Sequence, residues 1–298
     1  MIDAGITGGE HIYAGELVRI LINHPDVNLK WIASDNKQGK VADIHRGLEG
    51  ECDLEISAPN LEEVDVVFAC DSRGLDMCNN ALEEFHELRV IDLTRHQVQG
   101  CMYGLCEVNR KYMVHDCYGT VTVPSPLAMV SLLPLVPLAK AQLLPSSPID
   151  ISITCCERWL TTGTPQVVKE MQSVLTAMQP GFNCQAISLT TASTSNPREI
   201  KACITMRAPG NVQVITKLCE DYYDDHNFTF VVNHEPDASD VNNTNKCLLN
   251  LQSDGDKLKI TAVIDGLLKG TAGNAVHIMN LLFGLHERVG LALKAQVF

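Results

Sequence analysis

Three places in this chain carry residues whose types and spacing could do chemistry. The first is a glycine turn, Gly5-x-x-Gly8-Gly9-x-His11, leading into Ala14-Gly15-Glu16-Leu17. It follows a short apolar opening, Ile2 to Thr7. Such a turn lets backbone N–H groups and a helix N-terminus approach a pyrophosphate. Glycine turns also close many strand–helix joints that bind nothing, so both readings stand. His11 is either a phosphate contact or a solvent-facing turn residue. The second place is Ser34, at the end of the next apolar run, where a nucleoside ribose or its phosphate would lie. The third is Arg198 in Pro197-Arg198-Glu199, either an anion contact or a surface ion pair with Glu199 or another nearby acid.

The twelve cysteines suggest no metal site and no disulfide framework. Cys155 and Cys156 are adjacent, Cys101 and Cys106 are separated by four residues, and no Cys-x-x-Cys pair exists. Cys70, Cys203 and Cys247 sit in apolar segments, where thiols pack as small hydrophobes. Buried, reduced cysteine is expected, and with it a reducing cytoplasm. No signal-peptide pattern and no membrane span is expected. The net charge of −13, from 36 acids against 23 bases, argues against a nucleic-acid surface. At 298 residues, with 45% hydrophobic and 20% charged residues, the chain suits two globular domains.

The first half alternates strands and helices. Ile2–Thr7, Leu29–Ser34, Val64–Ala69 and Leu88–Leu93 read as strands, the last two as continuous apolar runs buried on both faces. A helix carrying Leu17, Ile20 and Leu21 ends near Asn23-His24-Pro25, and Leu75–Glu87 reads as another. Asp92 is expected to cap its strand end rather than catalyse. The second half is richer in strands: 149–154, 201–207, 228–232, 247–251 and 258–264. One helix there shows Val167, Met171, Val174 and Met178 at helical spacing. Ser193–Pro197 and Asp237–Asn245 read as polar loops. A final helix presents Ala275, Ile278, Met279 and Leu282 on one stripe, and His277 is expected at the surface or an interface.

The predicted fold is therefore α/β: a Rossmann-type doubly wound parallel sheet plus an α+β second domain with a mixed sheet. The first domain takes residues 1–146 and 270–298, with the last helix returning to it. The second takes residues 147–269, with the boundary at Pro145–Pro148.

A longer series of motifs occurs in order: Gly15-Glu16-Leu17-Val18-Arg19 with Asn23-His24-Pro25, Ile91-Asp92-Leu93, Tyr103-Gly104-Leu105 with Glu107 and Asn109-Arg110, Pro137-Leu138 and Asn243-Thr244-Asn245. Then come Ile264-Asp265-Gly266-Leu267-Leu268-Lys269-Gly270, Ala272-Gly273-x-Ala275-Val276 and Met279-Asn280-Leu281-Leu282-Phe283. This series resembles the N-acyl-gamma-glutamyl-phosphate reductases over nearly the whole chain, with a shortened stretch between about Trp159 and Pro165. The resemblance implies NADP on the first domain, with Gly8, Gly9, His11, Ile12, Ser34 and Asn280 as cofactor contacts and Arg198 as a substrate contact. It implies a homo-oligomer, dimer or tetramer, formed largely through the second domain. It also implies the family's reaction of arginine biosynthesis. A cysteine thiolate displaces phosphate from an acyl phosphate, hydride reduces the thioester to a semialdehyde, and a histidine serves as acid and base.

Carried over residue by residue, the chemistry is interrupted. Aligned on Pro124 and Pro137-Leu138, the nucleophile's position is Pro126, which has neither an acidic proton nor an N–H. Here Pro126 fits the first turn of a helix. The family's His-x-Pro-Glu corresponds to Gly163-Thr164-Pro165-Gln166, so Gly163 stands at the histidine's position. His11 replaces the turn's third glycine, and His96 and Val98 replace an aspartate and an arginine. Glu199 puts a carboxylate beside Arg198. Cys117, in Asp116-Cys117-Tyr118, is a relocated nucleophile or an ordinary loop or edge-strand cysteine. The expectation is a catalytically impaired reductase. The alternative is a non-catalytic paralogue that binds a nucleotide or metabolite, alone or beside an active sister subunit.

Overall fold

The computed structural model describes residues 1–94, 101–115, 119–161 and 163–295. It divides into two compact units. The first holds Met1–Pro124 and Thr271–Ala292; the second holds Ser125–Gly270 with the tail from Leu293.

The first unit is built on a parallel sheet. Its strands are β1 (Ile2–Thr7), β2 (Val27–Ile32), β3 (Val66–Ala69), β4 (Arg89–Asp92), β5 (Met102–Tyr103) and β6 (Gly119–Thr122), in the order β2-β1-β3-β4-β6-β5. Every pairing among them is parallel. All four residues of β3 are buried, as covering a sheet on both faces demands. The helices are α1 (Ile12–Leu21), the single turn α2 (Val41–Ile44), α3 (Ser72–Ala81) and α4 (Cys106–His115), joined by the C-terminal helix Gly273–Leu282. Helix α3 starts earlier than its apolar pattern suggests because the Asp71 side chain accepts from Gly74 N–H and caps it. Asp92 does close its strand: its carboxylate accepts from the Thr94 backbone N–H at 2.7 Å and hydroxyl at 2.6 Å.

The C-terminal helix corrects the expectation for His277. It is buried, with Nε2 2.6 Å from Glu287 Oε2, because the chain after the helix folds back and Glu287 reaches the ring. His24, beyond the end of α1, is buried against Asn280 Oδ1 at 3.1 Å. Burial holds the His24 imidazole below its usual range, against the Asn280 hydrogen bond.

The second unit is a mixed sheet with helices packed on it. Its first helix is α5 (Pro126–Lys140), then β7 (Ile149–Cys155), α6 (Thr164–Met178), β8 (Ile187–Ser193), β9 (Glu199–Arg207), α7 (Val212–Tyr223), β10 (Thr229–Val231), α8 (Ala238–Val241), β11 (Cys247–Asp254) and β12 (Lys257–Asp265). The order is β10-β11-β12-β9-β7-β8, with β10–β11 and β7–β8 parallel and the rest antiparallel.

Helix α5 is the core of this unit: Pro126 through Ala139 are all buried. It packs against α6, α7, β9 and β12. For that reason it clusters with the second sheet, and the compact units divide at Pro124 rather than at the expected Pro145–Pro148. Pro137 cannot donate to the Leu133 carbonyl. The Tyr223 hydroxyl of α7 donates to that carbonyl instead. The stretch read as a polar loop, Asp237–Asn245, contains α8, held by a capping box between Asp237 and Asp240. Cys203 on β9 is partly exposed, not buried, because alternate residues of that strand face away from the helices.

Candidate functional site

Strand β1 ends at Thr7, and the chain then turns sharply. Gly8 has φ +63°, a left-handed conformation that glycine adopts without strain. Gly9 N–H donates to Ala33 O at 2.8 Å, tying the turn to the end of β2. His45 Nε2 lies 2.6 Å from Gly9 O. The turn therefore opens beside the carboxyl ends of β1, β2 and β3, where the strand order reverses. That is the usual ligand crevice of open α/β sheets.

A cavity of about 650 Å³ lies there. Thr7, Gly8 and Ser34 line one part of it; Lys37, Arg73 and Gly74 line another. Gly74 lets the start of α3 pack directly on the end of β1, since a Cβ on it would come 2.0 Å from Thr7 Oγ1. Thr7 Oγ1 and Asp71 Oδ1 are buried and, among the described residues, have no hydrogen-bond partner. Unsatisfied polar atoms, a glycine turn at the strand ends and two cationic side chains fit a phosphorylated dinucleotide.

Of the expected cofactor contacts, Gly8 and Ser34 line this cavity, and Gly9, His11, Ile12 and Asn280 do not. His11 is the exposed N-cap residue of α1, its side chain making no cap hydrogen bond. Ile12 is 42% exposed. The Asn280 amide is engaged within the unit, donating to Glu287 O and Val289 O. Lys37, Arg73 and Asp71 were not foreseen. Lys37 lies in the chain after β2, Asp71 in the turn after β3 and Arg73 in the first turn of α3.

The second unit holds the other candidates. Ser125 caps α5, its hydroxyl accepting from Ala128 N–H. Its own N–H and hydroxyl donate to the two oxygens of buried Glu170, at 2.9 and 2.6 Å. Pro126 is the first residue of α5, where its missing N–H costs nothing, and a Cβ on Gly270 would lie 3.0 Å from its ring. Gly163 is the N-cap of α6. Arg198 forms an ion pair with an acid that is buried rather than at the surface. Its guanidinium meets buried Asp265 at 3.1 and 3.3 Å. Asp265 also accepts from the N–H groups of Asn243, Leu267 and Leu268. Burial pushes its carboxyl up, and Arg198 and these N–H groups oppose that shift.

Five of the described thiols are held in the protonated form by burial. Burial pushes Cys78 and Cys219 up to about 12 and Cys155 up to about 11, and raises Cys70 and Cys101 as well. No metal-holding group of side chains occurs among the described residues. Cys117, His96 and Val98 lie outside the described residues.

Residues 3–115 match the family model described as semialdehyde dehydrogenase, NAD binding domain. Residues 162–266 match the one described as semialdehyde dehydrogenase, dimerisation domain. Among solved structures, aspartate semialdehyde dehydrogenase with NADP from Candida albicans aligns over 95% of this chain and 98% of its own, with TM-score 0.68 and 13% identity. Aspartate semialdehyde dehydrogenase II from Vibrio cholerae aligns over 95% and 99%, with TM-score 0.67 and 14% identity. A parallel nucleotide-site unit followed by a mixed-sheet unit thus defines a protein of the semialdehyde dehydrogenase class. Within that class, the chain is 36% identical over 100% of its length to the N-acetyl-gamma-glutamyl-phosphate reductase of Phocaeicola vulgatus, and equally to that of Parabacteroides distasonis, covering 100% of each. The chain belongs to the N-acetyl-gamma-glutamyl-phosphate reductase family.

Proposed function

We propose that this chain binds NADP and carries the family's reaction, from N-acetyl-gamma-glutamyl phosphate to the semialdehyde, only at a strongly reduced rate. The reduced rate follows from assigning the nucleophile's position to Pro126, and what supports it is that a buried proline opens the first turn of α5. NADP would supply hydride. The turn at Gly8 would receive it, and Lys37 and Arg73 would balance phosphate charge. In the second unit, Ser125 and Glu170 hold the α5 N-terminus in place. Nothing at 126 or 163 can form the thioester or move a proton. The chain's match to reductases along its full length supports the substrate class.

The matched dimerisation domain supports assembly as a homo-oligomer. Among the described residues no helix is long and apolar enough to cross a membrane, and the proposed location is the cytoplasm.

A thermal-shift titration with NADPH tests the nucleotide half of this reading. A ligand at 100 times its Kd stabilises the native state by about 2.7 kcal/mol. For a chain of this size that raises Tm by about 5 °C or more. No shift at millimolar NADPH would remove the nucleotide reading.

A further inference from the structure

A carboxylate stands beside the cavity, bound to its lining residue Ser34. Half-buried Glu10 leaves the turn and accepts hydrogen bonds from Ser34 Oγ at 2.6 Å and Asn36 Nδ2 at 2.8 Å. Ser34 Oγ in turn accepts from the backbone N–H of Asn36 at 3.3 Å and of Lys37 at 3.1 Å. A hydroxyl has one hydrogen and two lone pairs, so Ser34 is fully engaged. Burial opposes ionisation of Glu10, but the bonds from Ser34 and Asn36 hold its carboxyl below the usual range, so it is charged at neutral pH.

The surrounding charge has no positive excess. Asp35, Lys37, Asp71 and Arg73 line the cavity, and Arg73 lies 3.0 Å from Asp35. With Glu10 beside them, three carboxylates face two cations. A ribose 2′-phosphate is selected by free donors and an excess of positive charge. A ribose diol is selected by a carboxylate acceptor. This rim has the carboxylates, has no positive excess, and has a serine whose hydrogen is already donated.

We propose that Glu10 sets the nucleotide selectivity of this chain: by holding the Ser34 hydroxyl and adding a carboxylate at the rim, it lets NADH bind nearly as well as NADPH. The inference rests on the dinucleotide reading of the cavity.

The test is a fluorescence titration of NADPH and NADH into the full chain and two variants. For the unaltered chain the two Kd values should agree within about threefold. Glu10→Ala frees the Ser34 donor and removes a charge, so the ratio should move about tenfold toward NADPH, the scale of one hydrogen bond to a charged group. Glu10→Gln keeps an acceptor for Ser34 but not the charge; it should move the ratio about threefold, and it keeps the test decisive if the alanine variant does not fold. Preference for NADPH above about fiftyfold in the unaltered chain, or a ratio unmoved in both Glu10 variants, would overturn the role of Glu10 while leaving the nucleotide reading intact. Absence of binding by both nucleotides would overturn both.

Discussion

Reduction of N-acetyl-gamma-glutamyl phosphate by this chain is expected to run at least about 10³-fold slower than by the Phocaeicola vulgatus reductase, and Pro126→Cys alone is expected to leave it within about tenfold of that low rate. Two proposed losses underlie this expectation. The proposed nucleophile position, Pro126, begins α5, where proline is structurally comfortable and a thiol would meet helix N-terminal N–H groups that lower its pKa. A cysteine placed there could therefore be acylated. The second loss then blocks turnover, because Gly163 has no side chain to move a proton. Its backbone, at φ −56° and ψ 148°, is an extended N-cap conformation that histidine can adopt. The double variant Pro126→Cys with Gly163→His should exceed the single one. Steady-state oxidation of NADPH at saturating substrate measures all three. Recovery of relative-like turnover by Pro126→Cys alone would refute the account of the missing histidine.

The largest stability effect should come from Asp265→Ala, which is expected to cost about 3–5 kcal/mol. The carboxylate is completely buried and ties three stretches together: Arg198 before β9, Asn243 after α8, and its own turn at Leu267 and Leu268. Removing it strands several N–H groups and the charge it faced. Asp265→Asn should fall between, since one oxygen can still accept. Urea unfolding followed by Trp159 fluorescence in a Trp31→Phe background reads the effect locally. Trp159 is buried against Gly266, the next residue in the chain, where a Cβ would lie 2.6 Å from the indole. A change below about 1 kcal/mol for Asp265→Ala would show that Arg198 and the turn are held by other contacts.

How much of this was legible in the sequence depended on how far apart the cooperating residues lie. The strand β3 could be read because all its residues face a buried environment, so the run Val66–Ala69 is uniformly apolar. The strand β8 was missed because it lies at the sheet edge and carries Ser188, Thr190, Thr191 and Ser193. Helix α7 does show Ile215, Cys219 and Tyr223 at helical spacing, but exposed Val214 blurs the stripe. In the candidate site, Gly8 and Ser34 were accessible because a local turn and a strand end announce them. Arg73 and Asp71 become neighbours of that turn only through the order β2-β1-β3, which local patterning does not specify. Arg198 was noticed, yet its partner Asp265 stands 67 positions away and only the β9–β12 pairing joins them.

The direct test of the central idea is intact-mass spectrometry of the chain after mixing with N-acetyl-gamma-glutamyl phosphate without NADPH and quenching in acid, beside the Phocaeicola vulgatus reductase as control. The absence of a thiol at position 126 predicts an unmodified mass for this chain under conditions that acylate the control. An acyl adduct mapped to any cysteine, Cys117 included, would contradict it.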